Sequence, residues 1–475
     1  MAIITFIPID NRPVCYQLPI QIAKLAKEHE LRMPDISLMG DLKRNADING
    51  LLEWLSKQKN TDIFVISLDT IAYGGLIPSR KSNDSIETIK TRIDKLVEII
   101  KKQKAKVYAF SSIMRISNNN INEEEKEYWS EFGTKIFEYS YNIHKSEILN
   151  LPEPQTDIPQ KIINDYLLTR NRNFEINKYY IELYKQGVFE TLVFSKDDCA
   201  EYGLNVKEAN QLKDLSVLEE NIFVKTGADE IPLTLLSRAL TKHKKIKIAP
   251  LYTNIDSINK ISKYEDISVE ESVNSQIELA GGIVSDIDNC DLIILINNFK
   301  TEQGELVMDI KTPLFDGKLN LPDKPYFIAD ILNANGSDNN FIKALFEQPS
   351  LKEFYGYTAW NTTGNTLGSA ISAALIYFGA KKPNKHAFQE LQITRFLDDW
   401  AYQANVRAKI RDNKENLLND TVQKEMQKYE KILFDKFGLK YIEMDYYFPW
   451  NRFFEVKISV NKNYYNIPFV EILFK

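Results

Sequence analysis

The feature that most constrains the fold is a recurrence of short, unbroken apolar runs separated by stretches of helical periodicity. ITFIPI (3–8), DIFVISL (62–68), KVYAFSSIM (106–114), TLVFS (191–195), NIFVK (221–225), KIKIAPLYT (246–253), DLIILIN (291–297), YFIADIL (326–332) and FYGYTAW (354–360) are strand-length and rich in Val, Ile and aromatic residues. DISLMG (35–40) is a shorter candidate. A strand apolar on both faces must be covered on both faces, which describes a parallel sheet between helices. The covering helices read at 85–103, 230–243, 268–282 and 338–348. This many strands predicts an α/β fold built as a (β/α)8-like barrel of the TIM type, regular or irregular, with an extended doubly wound sheet as the alternative.

Two segments depart from the alternation. Residues 115–190 hold two helical stretches around a proline-rich turn, an insertion of the kind that walls a substrate pocket. From 385 a long helical pattern, HAFQELQITRFLDDWAYQANVRAKI, is followed by the strand-like YYFPWNRFFEVKISV and IPFVEILFK. The expected division is a barrel-like catalytic domain over 1–384 and a helical and β appendage over 385–475.

Composition narrows the partners. With 60 Lys and Arg against 66 Asp and Glu, and the two signs scattered, the chain lacks the basic footprint of a nucleic-acid binder. Met1 runs directly into an apolar strand without a basic leader, and no stretch approaches the roughly 20 apolar residues of a membrane helix, so the expectation is a cytoplasmic protein. Cys15, Cys199 and Cys290 are odd in number and far apart, which predicts buried reduced thiols. His29, His144, His243 and His386 all lie in polar or basic contexts that predict exposure, and none ends an apolar strand. A Ser-His-Asp triad, a histidine base and a His-rich zinc site are therefore disfavoured. TIAYGGLIPSR is not a phosphate-cradling G-x-x-x-x-G-K-[ST] loop, and no G-x-G-x-x-G follows a strand, so no nucleotide cofactor is expected.

In parallel β/α proteins functional groups collect where strands end. Here those ends are polar: Asp10 and Arg12 after the first run, Asp69, Tyr73 and Arg80 after the second, and Arg115 after the third. Asp197, Asp198 and Tyr202 follow TLVFS, Asn297 ends DLIILIN, Asp330 lies in YFIADIL, and Trp360, Asn361 and Asn365 close the series. Any one aspartate is explained by helix capping, and Asp229, at the start of a helical pattern, reads that way. Their convergence is not explained by capping alone.

Adjacent carboxylates resist joint ionisation, so one member of Asp197/Asp198 is expected to keep a raised pKa and serve as an acid. The remaining residues, with Trp360 as a stacking platform, would form a sugar-binding shell. The expectation is a glycoside hydrolase or related sugar-active enzyme with Asp197 and Asp198 as its catalytic pair and no cofactor. One alternative is a hydrolase or isomerase holding magnesium or manganese on Asp10, Asp69, Asp197 and Asp330. Another is a sensor that binds a carbohydrate without turning it over.

The adjacent aspartates at a strand end are similar in layout to the catalytic pair of substrate-assisted N-acetylhexosaminidase barrels, in which one aspartate orients the substrate and the other is the acid/base. Over nearly its full length the chain also resembles a bacterial family known as a domain of unknown function. IDNRP (9–13), SLDTIAYGGLIPSR (67–80), SKDDCAEYG (195–203), GADE (227–230), YGYTAWNTTGNTLG (355–368), DDWAYQANVR (398–407) and WNRFFEV (450–456) carry that resemblance. It implies one functional unit that includes the C-terminal segment, and brings no reaction with it.

Overall fold

The computed structural model describes residues 1–197, 199–411, 421–438 and 441–460. They form two compact units, each built on one large parallel sheet, and the second also holds a short parallel pair, 304–305 with 333–334. The first comprises Met1–Asn11, His29–Leu236 and Tyr264–Asp266; the second comprises Arg12–Glu28, Ser237–Lys263 and the chain from Ile267 on. The helical stretches after 385 belong to the second unit.

The first sheet contains β1 (Ala2–Ile7), β2 (His29–Arg32), β3 (Ile63–Ser67), β4 (Lys106–Ile113), β5 (Thr191–Lys196) and β6 (Ile222–Thr226), in the order β2-β1-β3-β4-β5-β6. All neighbours are parallel. The order reverses direction between β1 and β3, and in open sheets such a switch opens a crevice at the carboxyl ends of the strands. The helix Ile86–Lys101 shows how sequence sets the cover: Ser85 caps its first turn, and Ile89, Ile93, Leu96, Val97 and Ile100 recur at helical spacing and are all buried. Between β4 and β5 the insertion forms the expected pair of helices, Trp129–Leu149 and Gln160–Lys185. They enclose a subsidiary core of Met114, Ile116, Trp129, Ile136, Ile163 and Tyr166.

In the second unit the strands are β7 (Lys247–Tyr252), β8 (Ile283–Val284), β9 (Leu292–Asn297), β10 (Gly304–Glu305), β11 (Tyr326–Asp330), β12 (Asn333–Ala334) and β13 (Phe354–Thr358). Five of them form a parallel sheet in the order β13-β11-β9-β7-β8. Counted from its own first strand, this repeats the order of the first sheet: the second strand lies to one side of the first, and the third, fourth and fifth follow on the other. Ile294 and Ile296 on β9 meet Val273 and Ile277 of the helix Val269–Leu279 and Leu367, Ile371 and Leu375 of the helix Thr363–Gly379 in one apolar core. The expected long C-terminal helix is Lys385–Arg395, continuing as π-helical turns over Phe396–Val406 and an α-helical turn over Arg407–Ile410. The antiparallel strands β14 (Met444–Tyr447) and β15 (Lys457–Val460) supply the expected small β element, while IPFVEILFK lies outside the described residues.

The barrel expectation is corrected. Eleven of the strands pair as two open sheets, edged by β2 and β6 and by β8 and β13, while β10 pairs with β12 and β14 with β15; this strand order does not show the layout of a hexosaminidase barrel. Apolar runs covered on both faces occur equally in a barrel and in a doubly wound sheet; which forms depends on pairing that the runs do not encode. Two local readings change as well. DISLMG holds a short 3-10 turn, Ile36–Leu38, and the true second strand is HELR, whose half-buried edge position removes the need for an apolar run. Asp197 consequently follows the fifth strand.

Candidate functional site

The first sheet brings polar groups together because its parallel strands end at one level. Ser67 pairs with Phe110, Ile113 with Lys196, and Lys196 with Thr226, so the residues just beyond each pair fall beside one another. Arg115 and Asp197 meet at 3.5 Å. Arg115 also pairs with Glu124 at 2.8 Å and Glu125 at 3.2 Å. Glu125 in turn holds Arg80 at 2.9 Å, with 4 % of the Glu125 side chain and 1 % of the Arg80 side chain exposed. Glu125 thus bridges two guanidiniums and fixes the one that faces Asp197. Burial raises the pKa of Asp197 above its ordinary value; Arg115 and Arg80 pull it down, while Asp229 and Glu124 add to the rise. Asp229, read from sequence as a cap, is therefore an electrostatic neighbour of the candidate acid. Asp198 lies outside the described residues.

Asp69 lies just beyond the end of β3, within electrostatic reach of Arg80. It accepts a hydrogen bond from the Ser112 amide at 2.8 Å and one from the Ser111 hydroxyl at 3.1 Å, tying the end of β3 to β4. Burial pushes its pKa up to about 6 despite these bonds. Tyr73 is buried with the Arg172 guanidinium 5.3 Å from its ring centroid, and burial carries its hydroxyl far above the usual phenol range. Asp10 is buried just beyond the end of β1. Tyr202 packs edge-on against Tyr141 at 5.4 Å and His144 at 5.7 Å, on the insertion helix. His144, expected on an exposed face, is buried and accepts the Gly203 amide at Nδ1, 3.1 Å away. Its helix sends a polar stripe into the turn after SKDDCAEYG, where Ser140 also receives the Leu204 amide.

The remaining expected residues belong to the second unit. Asn297 donates to Asp330 at 2.9 Å, and Asp330 also accepts the Asp338 amide at 2.7 Å and the Tyr357 hydroxyl at 3.1 Å. Burial and the neighbouring Asp338 raise the Asp330 pKa to about 7. These bonds satisfy Asp330 within a buried network that joins β9, β11 and β13. Arg12 pairs with Glu455 at 3.1 Å and lies 5.2 Å from the Trp450 ring. Trp360, expected as a stacking platform, is 3 % exposed and presents no open ring face. Asn361 adopts a left-handed backbone, φ 58°, and its carbonyl receives the Asn335 amide. Asn365 is buried in the first turn of its helix.

Sequence reasoning missed Glu124 and Glu125, which lie in the acidic run NEEEKE and resemble a solvated face; the reversal that buries Glu125 is tertiary. It also missed Asp398 and Asp399, which pair with Arg395 at 2.8 and 3.2 Å inside the π-helical segment. Asp399 additionally receives the Ala359 amide at 2.8 Å, so this part of DDWAYQANVR fastens the end of β13.

The family described as "Protein of unknown function (DUF4127)" matches residues 4–459, from β1 to β15. The chain belongs to this family. No curated protein and no solved structure matches it. Among the described residues of this DUF4127 chain, no group of three or more His, Cys, Asp or Glu side chains is disposed to hold a metal ion. No described helix is long and apolar enough to cross a membrane. The thiol of Cys199, two residues beyond Asp197, is pushed well above its usual pKa by burial, which leaves it a poor nucleophile near neutral pH.

Proposed function

We propose that the protein is a glycoside hydrolase or related sugar-active enzyme in which Asp197 is the acid. The observation that carries this reading is the setting of Asp197: a half-buried carboxyl at a strand end, with its pKa raised by burial and its position fixed by Arg115 at 3.5 Å. A carboxyl whose pKa is raised is better placed to give its proton to a glycosidic oxygen as the C–O bond breaks. The second carboxylate of the pair is Asp198, which would orient the substrate or activate the attacking group. The two arginines already face Glu124, Glu125 and Asp197. That balance of charge favours a neutral, hydroxyl-rich substrate over a strong anion.

The test is a panel of chromogenic glycosides, N-acetylhexosaminides included, assayed with wild type, Asp197→Asn and Asp198→Asn. The expected result is turnover by wild type and a loss of about 10²–10⁴ in kcat for Asp197→Asn with KM little changed. Turnover that survives Asp197→Asn would overturn the assignment of the acid. Tight sugar binding without turnover by wild type would replace the enzyme with a sensor.

A further inference from the structure

Beyond the Asp197 cluster, the first unit holds a cavity of about 470 Å³ among the loops and helices that follow β2, β3 and β4. Its volume falls within the range of small-molecule sites, and it lies at the carboxyl edge of the sheet, where doubly wound folds bind ligands. Ile77 and Pro78 provide apolar surface, and Lys43, Asn45, Lys81, Ser82 and Glu123 provide the polar groups.

The wall is built before any ligand arrives. Asp41 spends one carboxylate oxygen on the amides of Lys43 and Arg44, at 2.9 and 2.8 Å, and so shapes the turn that carries Lys43. The same loop is clamped to the next by Ala46, whose amide donates to the Gly74 carbonyl at 2.9 Å. Gly74 has φ 91°, and a Cβ on Gly40 would come within 3.0 Å of the Gly74 carbonyl oxygen, so both positions require glycine for this approach. On the opposite wall, the helix Leu76–Lys81 turns Arg80 inward to Glu125 and leaves Lys81 exposed at the cavity. The Lys81 ammonium makes one long hydrogen bond, 3.4 Å, to the Glu123 carbonyl. Among the described residues neither Lys43 nor Lys81 is in an ion pair. Asp41 is engaged by the Lys43 and Arg44 amides and by the Arg44 guanidinium at 3.5 Å, so the two ammonium groups face one remaining lining carboxylate, Glu123. That excess of positive charge, beside an amide, a hydroxyl and an apolar floor, matches a small hydroxylated molecule that carries an acid group.

The geometry points to this cavity as a second ligand site, for a sugar phosphate or sugar acid held through its anionic group by Lys43 and Lys81. None of its lining residues is in an ion pair of the Asp197 cluster, so the inference stands whether or not the hydrolase reading does.

Calorimetric titration of the full chain with glucose 6-phosphate, glucuronate and glucose tests it. Either anion is expected to bind at least about tenfold more tightly than glucose, with affinity falling as salt rises. The pair Lys43→Gln/Lys81→Gln should weaken the anion by about tenfold or more, whereas Lys102→Gln, an exposed lysine elsewhere, should not. Both lysines are exposed, so the double variant should keep the wild-type melting temperature. A phosphate preference and a carboxylate preference each support the site and identify the anion. Absence of millimolar binding by both anions, equal binding of glucose, or full affinity in the double variant would each overturn it.

Discussion

Replacing Asp69 with asparagine tests whether the first sheet carries an electrostatic cost at its carboxyl edge. The Asp69 carboxyl is 2 % exposed, and burial lifts its pKa from 3.8 to about 6. That rise corresponds to about 3 kcal/mol of disfavoured ionisation, an upper bound for a single buried group. The sign follows from the direction. Because the folded pKa lies above the unfolded one, the folded state binds the extra proton, and stability is lost as pH rises from about 4 to 6 and stays lost above. Asparagine cannot ionise, yet its carbonyl can still accept the Ser112 amide and its NH₂ can donate to the Ser111 hydroxyl. Asp69→Asn should therefore raise the stability of the first unit at pH 7.5 by about 1–3 kcal/mol, and the gain should shrink as pH falls toward 4. Urea unfolding of both proteins at several pH values, followed by hydrogen exchange on β3 and β4, provides the measurement. Asp330 and Asp399 are also raised, each to about 7, so the comparison must be the difference between variant and wild type, in which their contributions cancel. A variant less stable than wild type at pH 7.5, or a difference that does not vary with pH, would refute the reasoning.

Two further substitutions probe the same edge. Glu125→Ala strips the shared partner from Arg80 and Arg115 and leaves the buried Arg80 guanidinium with Glu124 at 3.6 Å as its remaining ion-pair partner; a loss of about 2–4 kcal/mol is expected in denaturant unfolding, and a loss below about 1 kcal/mol would show that Glu125 is not the bridge described. Gly227→Ala should cost about 1–3 kcal/mol, because φ at Gly227 is 137°, and an added Cβ would lie 1.8 Å from Glu230 Oε1 and displace the side chain that receives the Ala228 amide. A Gly227→Ala protein with an unchanged melting temperature would show that the GADE turn relaxes freely.

Much of the α/β organisation was legible because its signals are local. Unbroken apolar runs such as DIFVISL and DLIILIN require burial on both faces, and the helix Ile86–Lys101 carries its apolar stripe and its serine cap in consecutive residues. Edge strand β2 was not legible, since a half-buried HELR has no apolar pattern to read. At the candidate site, the strand-end rule located Asp69, Arg80, Arg115 and Asp197. It could not identify Glu125 or His144, whose sequence neighbours are polar and whose burial comes from the insertion folding back on the sheet.

The sequence by itself therefore determined the alternation of strands and helices, the insertion between β4 and β5, and the delivery of carboxylates and arginines to strand ends, because each depends on side chains within one segment. Tertiary structure decided that the strands pair as two open sheets of matching order, that Asp330 is absorbed into a buried network, and that Arg115 rather than a histidine is fixed beside Asp197. Those outcomes depend on register, burial and distance between segments far apart in the chain, and no local pattern of residues encodes such quantities.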